Sequence, residues 1–339
     1  MGTTQDEGDR IMSATTPALG LTGEDVHSVL ETASLAPSVH NSQPWRFLVR
    51  SDRIELHADP DRSLPATDPG GRELRLSCGA ALLTLRLALR GKGIRPLVSL
   101  LPGADAPGAL AVVRLGAVQP PDAEDLALLA AVRTRRTNRR PFVDAPVPIA
   151  HRALLTRAAD AERSWLHVVD DRDERARLQQ LVRRARQEQA ADPAVLAELR
   201  AWTEGRPGDA GIGIGSAGPS TEPQDEWVLR DFAPGARHER PPGKDYESDP
   251  LVVVLCSFYD GPLAELLAGQ AMQRVLLTAT TLGLSASFLS QPIEVPHVRE
   301  ELRRVLGGSL APQTLLRLGF GSPVPATARR PVAELLMAP

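Results

Sequence analysis

Two glycine-marked apolar runs, far apart in the chain, constrain its fold more than any other feature. Gly79-Ala80-Ala81 lies in a run from Glu73 to Arg90 that ends near Gly91 and Gly93. Gly269-Gln270-Ala271 lies in a run from Leu263 to Leu282 that ends at Gly283. In both runs the later glycine, Gly93 or Gly283, follows the first by fourteen residues. Glycine just past the last periodic residue suits a helix C-terminus, so both runs read as long helices. Two more matches fall in the same order. Trp45-Arg46-Phe47-Leu48-Val49 corresponds to Trp165-Leu166-His167-Val168-Val169, and Val113-Arg114-Leu115-Gly116 to Leu316-Arg317-Leu318-Gly319. Such self-similarity predicts one α+β unit present twice and fused, each copy a central antiparallel-rich sheet flanked by helices.

The expected organisation is a flexible tail over residues 1–21, a first repeat over 22–133 and a second over 134–339. The second carries an insertion over about 203–249, rich in glycine and proline. Its length inside a compact unit points to a functional segment. With Trp227, Phe232 and Tyr246 as apolar anchors, it reads as a lid.

Composition narrows the function classes. A formal charge of -3 over 339 residues provides no bulk field for nucleic acid or an anionic membrane. Lys92 and Lys244 are the only lysines, so a buried anion would be met by guanidinium forks. Cys78 and Cys256 sit in apolar surroundings and read as two buried free thiols. No apolar stretch reaches the roughly 18–20 residues of a membrane span. The polar, acid-bearing start is neither a signal nor a transit peptide, so a cytoplasmic protein is expected. There is no His-x-x-x-His or Cys-x-x-Cys metal pattern, no Gly-x-Ser-x-Gly elbow and no P-loop.

Three segments carry chemistry. In Arg135-Arg136-Thr137-Asn138-Arg139 a hydroxyl stands between two arginines. On an extended segment Arg135, Thr137 and Arg139 point the same way, a clamp suited to a phosphomonoester; a solvated basic linker between the halves is the competing reading. In Pro37-Ser38-Val39-His40-Asn41-Ser42-Gln43-Pro44-Trp45, Ser38, Asn41 and Gln43 offer donors and acceptors around a break set by two prolines. Here an ordinary polar turn competes. His40 is the one titratable side chain in the loop and a candidate substrate-facing group. Ser287-Phe288-Leu289-Ser290-Gln291 is either a loop presenting backbone N–H groups or a core strand. Arg329-Arg330 forms a second compact cation pair, or part of a solvated tail.

Together these motifs resemble the nitroreductase superfamily, and specifically its Acg-type tandem members. There, an Arg-x-Ser-x-Arg element holds the FMN phosphate, while the partner subunit's Pro-Ser-x-x-Asn-x-Gln-Pro-Trp loop contacts the flavin. The order here is shifted. The first copy keeps the loop and has no arginine element before it; the second has Arg135-x-Thr137-x-Arg139 and Arg329-Arg330, while its own loop has shrunk to Ala161-Glu162-Arg163-Ser164-Trp165. The resemblance implies a single-chain pseudo-dimer with one FMN, acting as a monomer on a small-molecule acceptor, with NAD(P)H as reductant and ping-pong hydride transfer through the flavin. It assigns the phosphate to Arg135, Thr137, Arg139 and Arg329 or Arg330. The ribityl chain and ring fall to Pro37, Ser38, Asn41 and Gln43, with Ser287, Leu289, Ser290 and Gln291 near the ring. No metal and no protein acid or base is required. The alternative is a flavin store or redox sensor with a lid-capped FMN; a third reading keeps the fold without the flavin, as an interaction protein.

Overall fold

The computed structural model describes residues 15–203 and 250–338. The expected lid, apart from Thr203, lies outside the described residues, as does the tail up to residue 14. Within the described part of that tail, Ala18 and Leu19 are buried, and the Leu19 N–H donates to the Ser51 carbonyl. Thr15, Ala18 and Leu19 thus anchor this part of the expected flexible tail, while Thr16, Pro17 and Gly20 are exposed.

The first half runs α1 (Gly23–Ser34), β1 (Trp45–Arg50), β2 (Arg53–Ala58), α2 (Arg72–Gly91), β3 (Ile94–Leu100), β4 (Ala109–Val118) and α3 (Ala123–Thr134). The second runs α4 (Ile149–Asp160), β5 (Trp165–Val168), α5 (Arg172–Ala191), α6 (Pro193–Thr203), β6 (Leu251–Ser257), α7 (Pro262–Thr281), β7 (Ser285–Phe288), α8 (Gln291–Glu294), α9 (Pro296–Val305), β8 (Ala311–Gly319) and α10 (Val332–Leu335). Each half builds a four-stranded antiparallel sheet, in the orders β1-β2-β4-β3 and β5-β6-β8-β7. These orders are the same under the correspondence read from the sequence. What differs is the first hairpin, since a two-residue turn joins β1 to β2 whereas residues 169–250 join β5 to β6.

α2 and α7 cross at the centre of the molecule through their glycines. A Cβ on Gly269 would overlap the Leu76 carbonyl and stand 2.9 Å from the Gly79 Cα. One on Gly79 would overlap the Leu266 carbonyl. Only glycine lets the two backbones approach this closely. One core spans both halves around the crossing, joining Trp45, Phe47, Leu56 and Leu82 to Val253, Leu255, Met272 and Leu316. Cys78 and Cys256 are buried free thiols, and burial raises the pKa of both, that of Cys256 to about 12.

Each half also lends a segment to the other. The Phe47 carbonyl of β1 accepts from the Met337 N–H, and Leu336 forms a parallel bridge beside it. The second half's C-terminus thus borders the first half's sheet. Thr137, from the linker after α3, bridges Ala286 of β7 in the second.

Candidate functional site

Between the halves lies a cleft lined by Pro37, Ser38, Val39 and His40 of the first half's loop, by Glu73, Leu76 and Ser77 of α2, by Thr137 and Arg139 of the linker, and by Met272, Phe288, Ser290 and Gln291 of the second half. Its open space, part of it continuous with solvent, is about 670 Å³. Seven expected site residues therefore meet here: Pro37, Ser38, His40, Thr137, Arg139, Ser290 and Gln291. The α2 contribution was missed in the sequence, although Glu73, Leu76 and Ser77 have the i, i+3, i+4 spacing of one helix face. Glu73 is buried and accepts a 2.5 Å bond from Arg72 Nη2. Met272 and Phe288 were missed as well.

The loop is tightly constrained. His40, Asn41 and Gln43 all have positive φ, at 52°, 54° and 50°, a region that non-glycine residues enter at some cost. Ser38 Oγ accepts from the Gln43 N–H at 2.9 Å. The Gln43 side chain is fully buried, its Oε1 accepting from the Arg330 N–H at 2.9 Å. Gln43 thus supports the loop from behind and does not line the cleft. Arg330 also departs from the expected role. Its guanidinium pairs with Asp59 at 3.0 Å and donates to the Gln43 and Glu334 carbonyls. It fastens the C-terminal segment to the first half, so it is not available to hold a phosphate.

The alternation of β7 sorts the next segment. Ser287 lies opposite Arg317 of β8 and is fully buried; Leu289 belongs to the outer core under α5, α8 and α9, and its N–H is spent on the Leu315 carbonyl. Phe288 and Ser290 take the other face and line the cleft, as a two-residue period requires. Ser287 and Leu289 are thereby removed from the cleft lining. Gln291, at the start of α8, is buried and its Oε1 has no partner among the described residues.

The most unusual electrostatics lie beside Thr137. Arg135 is 5% exposed, and its Nε and Nη1 have no partner among the described residues. Arg329 is held by Asn41, Thr327 and the Leu35 carbonyl, and its Nε also lacks a partner among the described residues. Burial, then repulsion from Arg329 and Arg136, pushes the Arg135 pKa down to about 9; burial, then Arg136, pushes Arg329 to about 10. Among the described residues no carboxylate lies within ion-pair distance of Arg135, Arg136 or Arg329. By contrast, buried Glu162, in the second half's shortened loop, is paired with Arg86 at 2.7 Å and Arg274 at 3.3 Å. No group of described residues is arranged to hold a metal ion, and no described helix is long and apolar enough to cross a membrane.

Residues 16–67, which include the loop, match the model of the Nitroreductase family. Over 328 residues the chain is 37% identical to a Mycobacterium tuberculosis protein named "Putative NAD(P)H nitroreductase Rv3131", covering 92% of this chain and 91% of the relative. It is 33% identical over 329 residues to "Putative NAD(P)H nitroreductase acg" of the same organism, covering 94% and 97%. A solved Bacteroides fragilis nitroreductase with bound FMN overlaps 60% of this chain and 92% of its own, at 15% identity and a TM-score of 0.37.

Proposed function

This chain belongs to the nitroreductase family, and from that premise we propose that it is an FMN-binding, NAD(P)H-dependent oxidoreductase reducing a small-molecule acceptor by two electrons. The observation that carries this reading is the cluster of Arg135, Arg136 and Arg329 with no carboxylate partner among the described residues. Arg135 is buried and Arg136 and Arg329 are half-buried, and like charges held together largely out of water are costly until an anion joins them. A phosphomonoester brings up to two negative charges and several acceptor oxygens, which guanidinium forks match well. The donor set therefore fits FMN.

Arg135 and Arg329 would hold the phosphate, with Thr137 and Arg139 continuing the polar wall into the cleft. Leu76, Met272 and Phe288 offer the apolar surface that a flat ring system needs, and Ser38, Ser290 and Gln291 its polar edge. His40, fixed by its left-handed backbone, stands on the cleft wall where an acceptor would enter. When bound, FMN supplies the redox chemistry, taking two electrons from NAD(P)H and passing them on. The protein's own task is to orient the partners and to neutralise charge.

One flavin per chain follows from comparing the two halves. In the register that superposes Gly79 on Gly269, Glu73, Leu76 and Ser77 correspond to Leu263, Leu266 and Leu267, and Met272 to Leu82. The second site would lack this polar wall, and the arginines near its loop, Arg86 and Arg274, are already paired with Glu162. A monomer, working as an internal pseudo-dimer in the cytoplasm, is the expected form.

Two experiments test the proposal. The double variant R135A/R139A should purify without flavin; unchanged FMN retention would overturn the site assignment. Visible flavin bands of the wild type should bleach with anaerobic NADPH or NADH. Bands that survive both, yet bleach with dithionite, would instead support a sequestering or sensing protein.

A further inference from the structure

Both ends of the Asn41 amide are engaged behind the cleft. Nδ2 donates to the Ala328 carbonyl at 2.9 Å, and Oδ1 accepts from Arg329 Nη1 at 3.1 Å. The side chain is buried and takes no part in lining the cleft. Its neighbour Gln43 grips the next residue of the same segment, since Gln43 Oε1 receives the Arg330 N–H. The loop thus reads the C-terminal segment residue by residue, through Ala328, Arg329 and Arg330. Three residues of this loop hold left-handed backbone, a conformation that persists only where surrounding bonds over-determine it. Bonds to Asn41, Thr327 and the Leu35 carbonyl fix the Arg329 guanidinium, which has no acidic partner among the described residues and whose charge acts on Arg135.

Resting on the flavin reading above, we infer that Asn41 is a positioning residue of the phosphate site. It orients Arg329 for the phosphate and does not itself contact the ribityl chain or ring. This reassigns a residue that the sequence places against the flavin.

The distinguishing readout is the preference for FMN over riboflavin, which differ only in the phosphate. Asn41→Gly is the appropriate variant, because glycine keeps φ near 54° without a steric cost while removing both side-chain bonds. Flavin-free wild type, N41G, R329A and the double variant N41G/R329A are titrated with FMN and with riboflavin by fluorescence quenching. N41G should weaken FMN about tenfold, as expected for a lost bond to a charged group, and leave riboflavin within about twofold. In the double variant the FMN loss should be no greater than in R329A alone, since the two residues act as a unit. Equal weakening of FMN and riboflavin by N41G would overturn the inference, because it would mean that Asn41 contacts what the two ligands share. Unchanged FMN binding in N41G, or losses that add fully in the double variant, would overturn it as well. The R329A arm separates this from failure of the flavin reading: a wild type that does not prefer FMN, or an R329A protein that keeps the preference, refutes the phosphate site itself.

Discussion

Replacing Gly269 by alanine probes the feature on which both halves depend. The added methyl would overlap the Leu76 carbonyl and lie 2.9 Å from the Gly79 Cα. Both obstacles are backbone in the middle of long helices, so neither can swing aside as a flexible side chain would. Overpacking a well-packed core costs about 1–3 kcal/mol, and a backbone obstacle belongs at the upper end, about 3 kcal/mol. For a chain somewhat larger than 250 residues, each kcal/mol lowers Tm by roughly 2–3 °C, so G269A should melt roughly 5–10 °C below wild type. The separation of α2 from α7 also displaces Leu76 and Met272, which line the cleft, so FMN occupancy of the purified protein should fall with Tm. Differential scanning fluorimetry and the ratio of visible to near-ultraviolet absorbance read the two effects. Gly70→Ala is the control, since a Cβ there meets nothing within 4 Å, and it should melt close to wild type. A G269A protein within about 1 °C of wild type, with full flavin, would refute the close-crossing argument.

Two further outcomes follow from the charges. In the flavin-free protein the Arg135 pKa is lowered from 12.5 to about 9, so above about pH 9 the unfolded chain binds more protons than the folded one and stability rises with pH. Below about pH 9 both states are protonated and the cost of burying the cation stands in full. Millimolar phosphate should raise Tm most near neutral pH and flatten that rise, and thermal melts from about pH 8 to about pH 9.5 should show both effects much reduced in R135A, the contribution of Arg329, with its pKa of about 10, remaining at higher pH. The Arg330–Asp59 pair, at 3.0 Å and buried on both sides, ties the C-terminal segment to the first half. Arg330→Met should cost about 3–5 kcal/mol in urea unfolding, with much of the loss recovered when Asp59 is also made apolar.

What the sequence disclosed follows the range of the interactions involved. Helices α2 and α7, their terminal glycines and the strand pairs β1 and β5 are local patterns, and they stand where the periodicity put them. β3 went unread because Pro96 interrupts it; in the structure the register shifts between Arg95 and Pro96, and β3 lies at the sheet edge, where a missing N–H is tolerated. The loop from Pro37 to Trp45 was legible as a site element. The directions of Asn41 and Gln43 were not, since their partners lie 287 residues further along the chain. Ser287 and Leu289 were misplaced for a different reason. A segment read as a loop has no alternation, but as the end of β7 it does, and alternate residues face away from the cleft.

On the proposal of one flavin per chain, fusion explains how one site could be lost while the other was kept. In a symmetric homodimer every substitution appears on both subunits, so a leucine that fills one flavin site fills both. In a tandem chain the two halves vary independently. Leu263, Leu266 and Leu267 can close the second cleft without touching Glu73, Leu76 and Ser77, and Glu162 can be consumed by Arg86 and Arg274 without adding an acid beside Arg135. The proposed site would draw on both halves, because the loop comes from one and Arg329 from the other, joined through Asn41. In that site the linker would supply Arg135 and the C-terminal segment Arg329, so that each contributes a guanidinium to one phosphate cluster beside the cleft.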